Sequence, residues 1–174
     1  MILAEDEASL YLQTTTKAVW APQGQTPVVR AHPGREKISF YATLNLHTGQ
    51  EIVMSSTVMN AEISAQHLEQ ILLTVPDVPI LLLWDRAPWH FGQPIRDVLA
   101  TNPRLEIMYF PVAAPDLNPQ EQVWKDTRGA VSHNHSKTRL SDLAHRFEQH
   151  LKSNVFVSSF LDDYGFNDIC PMFT

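Results

Sequence analysis

Three acidic residues in this chain have the types and spacing for metal chemistry. Asp85 closes the most apolar run, Ile80-Leu81-Leu82-Leu83-Trp84, while Glu121 lies in the later run Pro115-Asp116-Leu117-Asn118-Pro119-Gln120-Glu121. Asp6 stands near the start between Glu5 and Glu7. An acid at the tip of a buried strand, another early in a later helix and a third near the chain start can converge on divalent cations. Mg2+ is a hard ion that takes oxygen ligands and keeps several waters. Two such ions about 3.5–4 Å apart stabilise both the attacking and the leaving oxygen of a phosphoryl transfer. Singly, each acid has a plainer explanation: Glu121 as the reciprocal acid of a capping box with Asn118, Asp85 as a turn cap, Asp6 as a solvated strand end. Only their combination favours catalysis.

Other titratable residues carry less. His90, shortly after Asp85, has the chemistry to orient a phosphate or shuttle a proton, and is equally suited to a polar surface or a satisfied core position. His133 and His135 lack further ligands in sequence and are expected on the surface. The single cysteine, Cys170, can form no internal disulfide, which fits a reducing cytoplasm.

The elements that must position the acids follow from pattern. A short strand is expected over residues 2–6, and Ala18-Val19-Trp20-Ala21 is a second, weaker strand candidate. Residues 37–46 are rich in β-formers and end at the turn His47-Thr48-Gly49, with residues 51–55 returning as the hairpin partner. Asn60 caps a helix whose stripe is Ala61, Ala65, Leu68, Leu72 and Val75, stopping before Pro76. Ile80 to Trp84 does not alternate, as suits a central strand covered on both faces. A helix over 92–101, a strand over 105–110 and a loop over 111–119 follow. Asn118-Pro119 then opens a helix with Val123, Trp124 and Thr127 facing inward. Leu140, Leu143, Phe147 and Leu151 mark a last amphipathic helix. This order predicts an α/β fold, a ribonuclease H-like mixed β-sheet flanked by α-helices, spanning residues 1–174 as a single domain. Asp6 and Asp85 would sit at strand ends, where ligands of such sheets gather.

Composition bounds the partners. The 174 residues carry a net charge of −6, which argues against holding nucleic acid by charge alone. Two basic stretches stand against that balance: Arg30, His32, Arg35 and Lys37, then Lys125, Arg128, Lys137 and Arg139. Either is usable on phosphates or as plain solvated surface. No run approaches the roughly 18 apolar residues that span a bilayer, so no membrane partner is expected. The N-terminus lacks the pattern of an export signal.

The chain resembles the catalytic domain of IS630-type insertion-sequence transposases, within the Tc1/mariner group of DDE transposases. The resemblance rests on Asp6-Glu7, Trp20-x3-Gly24-x2-Pro27, Tyr41-Ala42-x4-His47-Thr48-Gly49, Leu83-Trp84-Asp85-x4-His90 and Pro115-Asp116-Leu117-Asn118-Pro119-x-Glu121-x2-Trp124. The last block is highly specific and the middle ones weaker. The resemblance implies a ribonuclease H-like fold in which Asp6, Asp85 and Glu121 form the metal-binding triad, using Mg2+ with Mn2+ as a substitute. It implies DNA strand cleavage at transposon ends, followed by attack of the freed 3′-hydroxyl on target DNA. Double-stranded DNA, both transposon ends and target, and a homodimer that pairs two ends are the implied partners. The setting is a prokaryotic cytoplasm, at the nucleoid when bound to DNA.

Two departures from the family pattern stand out. Arg86 occupies the position after the second Asp where the family usually carries Asn; its guanidinium suits a DNA phosphate, or a carboxylate pairing that would weaken metal binding. The N-terminal helix-turn-helix modules of the family are expected to be absent from this chain, so that a separate chain would carry end recognition. Arg30, Arg35, Arg86, His90, Lys125 and Arg128 are the candidate DNA contacts. The alternative functions are a decayed or domesticated domain acting as a DNA-binding or protein-interaction module, or a stand-alone nuclease.

Overall fold

The computed structural model describes residues 1–112 and 114–165; Cys170 lies outside them. A five-stranded sheet has the order β3-β2-β1-β4-β5. The strands are β1 (Ile2–Tyr11), β2 (Lys37–Asn45), β3 (Glu51–Ser56), β4 (Ile80–Trp84) and β5 (Leu105–Tyr109). β1 lies at the centre, antiparallel to β2 and parallel to β4, and β4 runs parallel to β5. The helices are α1 (Ala61–Thr74), α2 (Gln93–Thr101), α3 (Pro119–Thr127), α4 (Leu140–Ser153) and the short α5 (Phe160–Asp163).

The β-pleat divides the core in two, since successive side chains of a strand point to opposite faces. Ile2, Ala4, Ala8 and Leu10 of β1 pack with Leu83, Trp124, Leu143, Phe147 and Leu151 under α3 and α4. Leu3 packs with Ile80, Leu82, Trp84, Leu68, Ile71 and Ile95 under α1 and α2. β4 is therefore covered on both faces, as its uninterrupted apolar run requires. α1 begins where expected, the Asn60 side chain accepting the Ile63 N–H at 3.0 Å.

Two expectations fail. β1 is ten residues long, because it pairs with β2 along its whole length, Leu3 with Asn45 through Tyr11 with Lys37. That length places Asp6 mid-strand. Ala18 to Ala21 form no strand; they lie in an irregular exposed excursion between β1 and β2 in which Trp20 is 103% exposed, its β-forming side chains finding no ladder partner. His133 and His135 also prove less superficial than expected. Thr15 Oγ1 and His133 Nδ1 share a hydrogen bond of 2.8 Å, and His135 is buried, its carbonyl accepting from Thr14 Oγ1 at 3.2 Å. Both anchor the excursion after β1.

Candidate metal centre

Sheet register brings the first two acids together. β1 and β4 pair Ile2 with Leu81, Leu3 with Leu82 and Ala4 with Leu83. The same offset carried on by two residues sets Asp6 beside Asp85, and the pleat turns both toward the α3 and α4 side of the sheet. The ladder between the two strands stops at Ala4, and a cavity of about 260 Å³ opens there. Asp6, Asp85 and Glu121 all line it, with Arg86, Phe110 and Asn118 among the other walls.

Glu121 arrives by a different device. Pro119 opens α3, and the Asn118 side chain accepts the Gln120 N–H at 3.1 Å. The Asn118 side-chain amide donates to the Glu5 carbonyl at 3.2 Å, tying the start of α3 to the middle of β1. The Asn118 N–H donates to the Pro115 carbonyl at 2.9 Å, so the partner that a capping box would offer Glu121 is already engaged. Glu121 is exposed at the cavity instead.

The electrostatics are those of acids crowded against one another. Burial, then the charges of Glu7 and Glu121, push the Asp6 carboxyl up to about 7, with Asp85 adding to the rise and a hydrogen bond from Trp124 opposing it. That bond, Trp124 Nε1 to Asp6 Oδ2, is 3.0 Å long. Asp85 is held low despite partial burial, because the His90 ring and the Ala87 N–H donate to it. Three acids lining one cavity, with Asp6 titrating near neutrality, have the donor chemistry that suits a hard divalent cation.

The candidate DNA contacts separate by position. Arg86 lines the cavity; its Nε donates to the Phe110 carbonyl at 3.3 Å and its guanidinium lies 5.2 Å from the Tyr109 ring centre. Among the described residues it forms no ion pair with a carboxylate. Arg30 and Arg35 are exposed on the excursion after β1, and Lys125 is exposed on α3 with Arg128 half-buried just beyond it; none of the four lines the cavity. His90 is 0% exposed, with both ring nitrogens on carboxylates, which leaves neither for a phosphate.

Behind the cavity lies a cluster that the sequence reading passed over. Glu5, Glu7 and His90 bring ligand atoms within 4.8 Å of one another. His90 Nε2 donates to Glu7 Oε1 at 2.8 Å, Trp84 Nε1 donates to Glu5 Oε2, and Glu5 Oε1 accepts no hydrogen bond among the described residues. Burial, then the Glu7 and Asp6 charges, raise the Glu5 carboxyl well above the ordinary carboxylate range. His67, held by Thr43 at 2.8 Å, is pushed down to about 4 by burial. Period-two alternation was the available signal: with Asp6 on one face of β1, Glu5 and Glu7 must occupy the other.

The sequence matches the DDE superfamily endonuclease family over residues 1–144. The chain belongs to that family. As a DDE endonuclease it resembles the insertion element IS630 uncharacterized 39 kDa protein of Shigella sonnei, 23% identical over 143 residues, which cover 82% of this chain and 42% of that protein. Its fold resembles that of the Mos1 transposase catalytic domain. The paired-end complex with the left transposon end matches with a TM-score of 0.67 at 18% identity, covering 88% of this chain and 48% of that one. The catalytic domain of Mos1 mariner transposase matches with a TM-score of 0.59 at 14% identity, covering 88% and 70%. Mos1 paired-end complexes with Mn and with Mg each match with a TM-score of 0.64, at 18% and 17% identity, covering 88% of this chain and 48% of each. The mixed sheet with flanking helices is thus a ribonuclease H-like fold, and the chain spans less than half the length of the IS630 relative.

Proposed function

We propose that this chain is the catalytic domain of a transposase, performing divalent-metal-dependent DNA strand cleavage and strand transfer. The observation that carries the reading is the convergence of Asp6, Asp85 and Glu121 from β1, the end of β4 and the start of α3 on one cavity. Mg2+ is the assigned ion, with Mn2+ as a substitute; when bound, the ions supply the charge that activates the attacking hydroxyl and neutralises the leaving oxygen. The chain's residues do the positioning. Asp6 offers its carboxylate while Trp124 steadies Oδ2, and Asp85 offers the oxygen that His90 and Ala87 leave free. Glu121 completes the donor set from the first turn of α3. In cleavage a water oxygen bonds to phosphorus and the P–O3′ bond breaks, freeing a 3′-hydroxyl. In joining, that hydroxyl attacks a target phosphodiester and expels another 3′-oxygen.

Arg86 at the cavity wall is the direct candidate for a phosphate contact, with Lys125, Arg128, Arg30 and Arg35 as more distant ones. The partners under this reading are double-stranded DNA at transposon ends and target, a second copy that pairs the ends, and a module carried elsewhere that recognises the terminal repeats. The setting is a prokaryotic cytoplasm, at the nucleoid. Nicking of supercoiled plasmid in Mg2+ or Mn2+ tests the reading, alongside joining of a 3′-hydroxyl oligonucleotide. The native chain should nick and join, and Asp85→Asn should fall to background. Cleavage that survives the substitution would overturn the site; inertness of both chains would point to a decayed domain or to the need for the recognition module.

A further inference from the structure

His90 sits on a 3-10 turn, Pro88–His90, that returns the chain beneath the end of β4. Its ring is stacked on Trp84, with centroids 3.9 Å apart and planes at 22°, and cannot swing without displacing buried aromatic surface. From that fixed place the ring touches both sides of the sheet. Nδ1 is 2.7 Å from Asp85 Oδ1 and Nε2 is 2.8 Å from Glu7 Oε1. The Ala87 N–H donates to the same Asp85 Oδ1 at 2.9 Å. Nδ1 also lies 3.2 Å from the Asp85 main-chain carbonyl, so the ring and the Ala87 N–H together hold Asp85, whose side chain is still 46% exposed at the cavity.

We propose that His90 is a positioning residue for Asp85: held by Glu7 and Trp84, it clamps Oδ1 so that Oδ2 alone is presented to the cavity. The inference rests on the reading of Asp85 as a metal ligand. A carboxylate with one oxygen engaged by two protein donors binds a cation through the other, the one-oxygen mode that the octahedral Mg2+ shell accommodates. Released, the carboxylate is free to turn and offer both oxygens, which suits a more permissive ion better than Mg2+. Partners that hold a ligating carboxylate are worth about 10- to 100-fold in metal affinity.

The two nitrogens of the ring can be replaced separately. The side-chain amide nitrogen of Asn falls near Nδ1 and that of Gln near Nε2. His90→Asn therefore keeps a donor for Asp85 and loses the one for Glu7, and His90→Gln does the reverse. In calorimetric titration of the metal-free protein, His90→Asn should bind Mn2+ within about 3-fold of the native chain and His90→Gln should bind about 10- to 100-fold more weakly. The His90→Gln deficit should be larger for Mg2+ than for Mn2+. The melting temperatures of the two variants should be similar. Equal losses in the two variants, tracking their melting temperatures, would reduce His90 to a packing residue and overturn the proposal. So would native affinity in His90→Gln. Asp85→Asn separates the failures: if it binds like the native chain, Asp85 is not a ligand and the reading beneath the proposal fails with it. Should neither His90 variant fold, the native protein decides. The Nδ1 proton of His90, followed by NMR, should shift on Mg2+ addition with the midpoint of the calorimetric titration, and an unmoved resonance at saturation refutes the clamp.

Discussion

Replacing Trp124 by Phe isolates the one hydrogen bond that favours an ionised Asp6. The indole is buried, stacks on Phe147 with centroids 6.2 Å apart, and donates to Asp6 Oδ2 at 3.0 Å. Phe keeps an aromatic ring but removes the donor and part of the volume. The packing loss should cost about 1–2 kcal/mol of stability, in line with modest core truncations. The hydrogen bond acts differently on the two forms of Asp6: about 1.5–3 kcal/mol toward a charged acceptor and about 0.5–1.5 toward a neutral one. The difference, about 1–1.5 kcal/mol, favours the carboxylate that a cation needs. Asp6 already titrates near neutrality, pushed up to about 7 by burial, then Glu7 and Glu121. Without the indole N–H it moves further up, and a cation must displace a proton more often. That energy is about one pK unit, so the ionised fraction of Asp6, and with it Mn2+ affinity at pH 7, should fall about 3- to 7-fold. The deficit should narrow toward pH 9, where Asp6 is ionised with or without Trp124. Phe147→Leu supplies the control, loosening the same packing while leaving the donor in place, and should bind Mn2+ nearly as the native chain does. Calorimetric titration at pH 7 and 9, with urea unfolding to fix the folded fraction, reads all of this. Native affinity in Trp124→Phe, a deficit that persists at pH 9, or an equal deficit in Phe147→Leu would refute the reasoning.

Two further substitutions probe the acids themselves. Asp6→Asn should abolish nicking yet stabilise the metal-free protein at pH 8, by at most about 4 kcal/mol and by about 1–3 after relaxation, because it removes a buried charge, and one that lies beside Glu7, Glu121 and Asp85. The gain should vanish near pH 4 in urea titrations with chelator, and its absence at pH 8 would show that Asp6 carries no such cost. Glu51 on β3 is raised from its ordinary 4.5 to about 8 by burial, which outweighs the Gln120 amide donating to it at 3.2 Å. Between those values the unfolded chain releases a proton that the folded one retains, so stability falls as pH rises through the window and levels off above it. Glu51→Gln should match the native chain near pH 4.5 and exceed it by about 1–3 kcal/mol at pH 8.5, against a ceiling of about 5; parallel curves would contradict the assignment.

Several parts of this architecture are local and were readable one residue type at a time. Asn60 and the Asn118-Pro119 pair mark helix starts because a capping side chain needs only the next few backbone N–H groups. The run Ile80 to Trp84 marks a doubly covered strand because burial on both faces removes alternation. Where pairing decides, local signals misled: β1 runs on past residue 6 because β2 lies alongside it, and Ala18 to Ala21, with suitable side chains, stay irregular for want of a neighbour.

The places of Asp85 and Glu121 are readable in adjacent residues, as a strand end and a capped helix start, whereas Asp6, expected at a strand end, lies in mid-strand. Their meeting follows from nothing adjacent. It depends on the parallel register of β1 with β4 and on an Asn118 amide reaching the Glu5 carbonyl. Still less local are the indole over Asp6 and the imidazole between Glu7 and Asp85, contacts made across 118 and 83 positions of chain. Such contacts arise only when helices pack onto a sheet and bury polar groups that must then be satisfied, and that packing set the ionisation of Asp6 and Asp85.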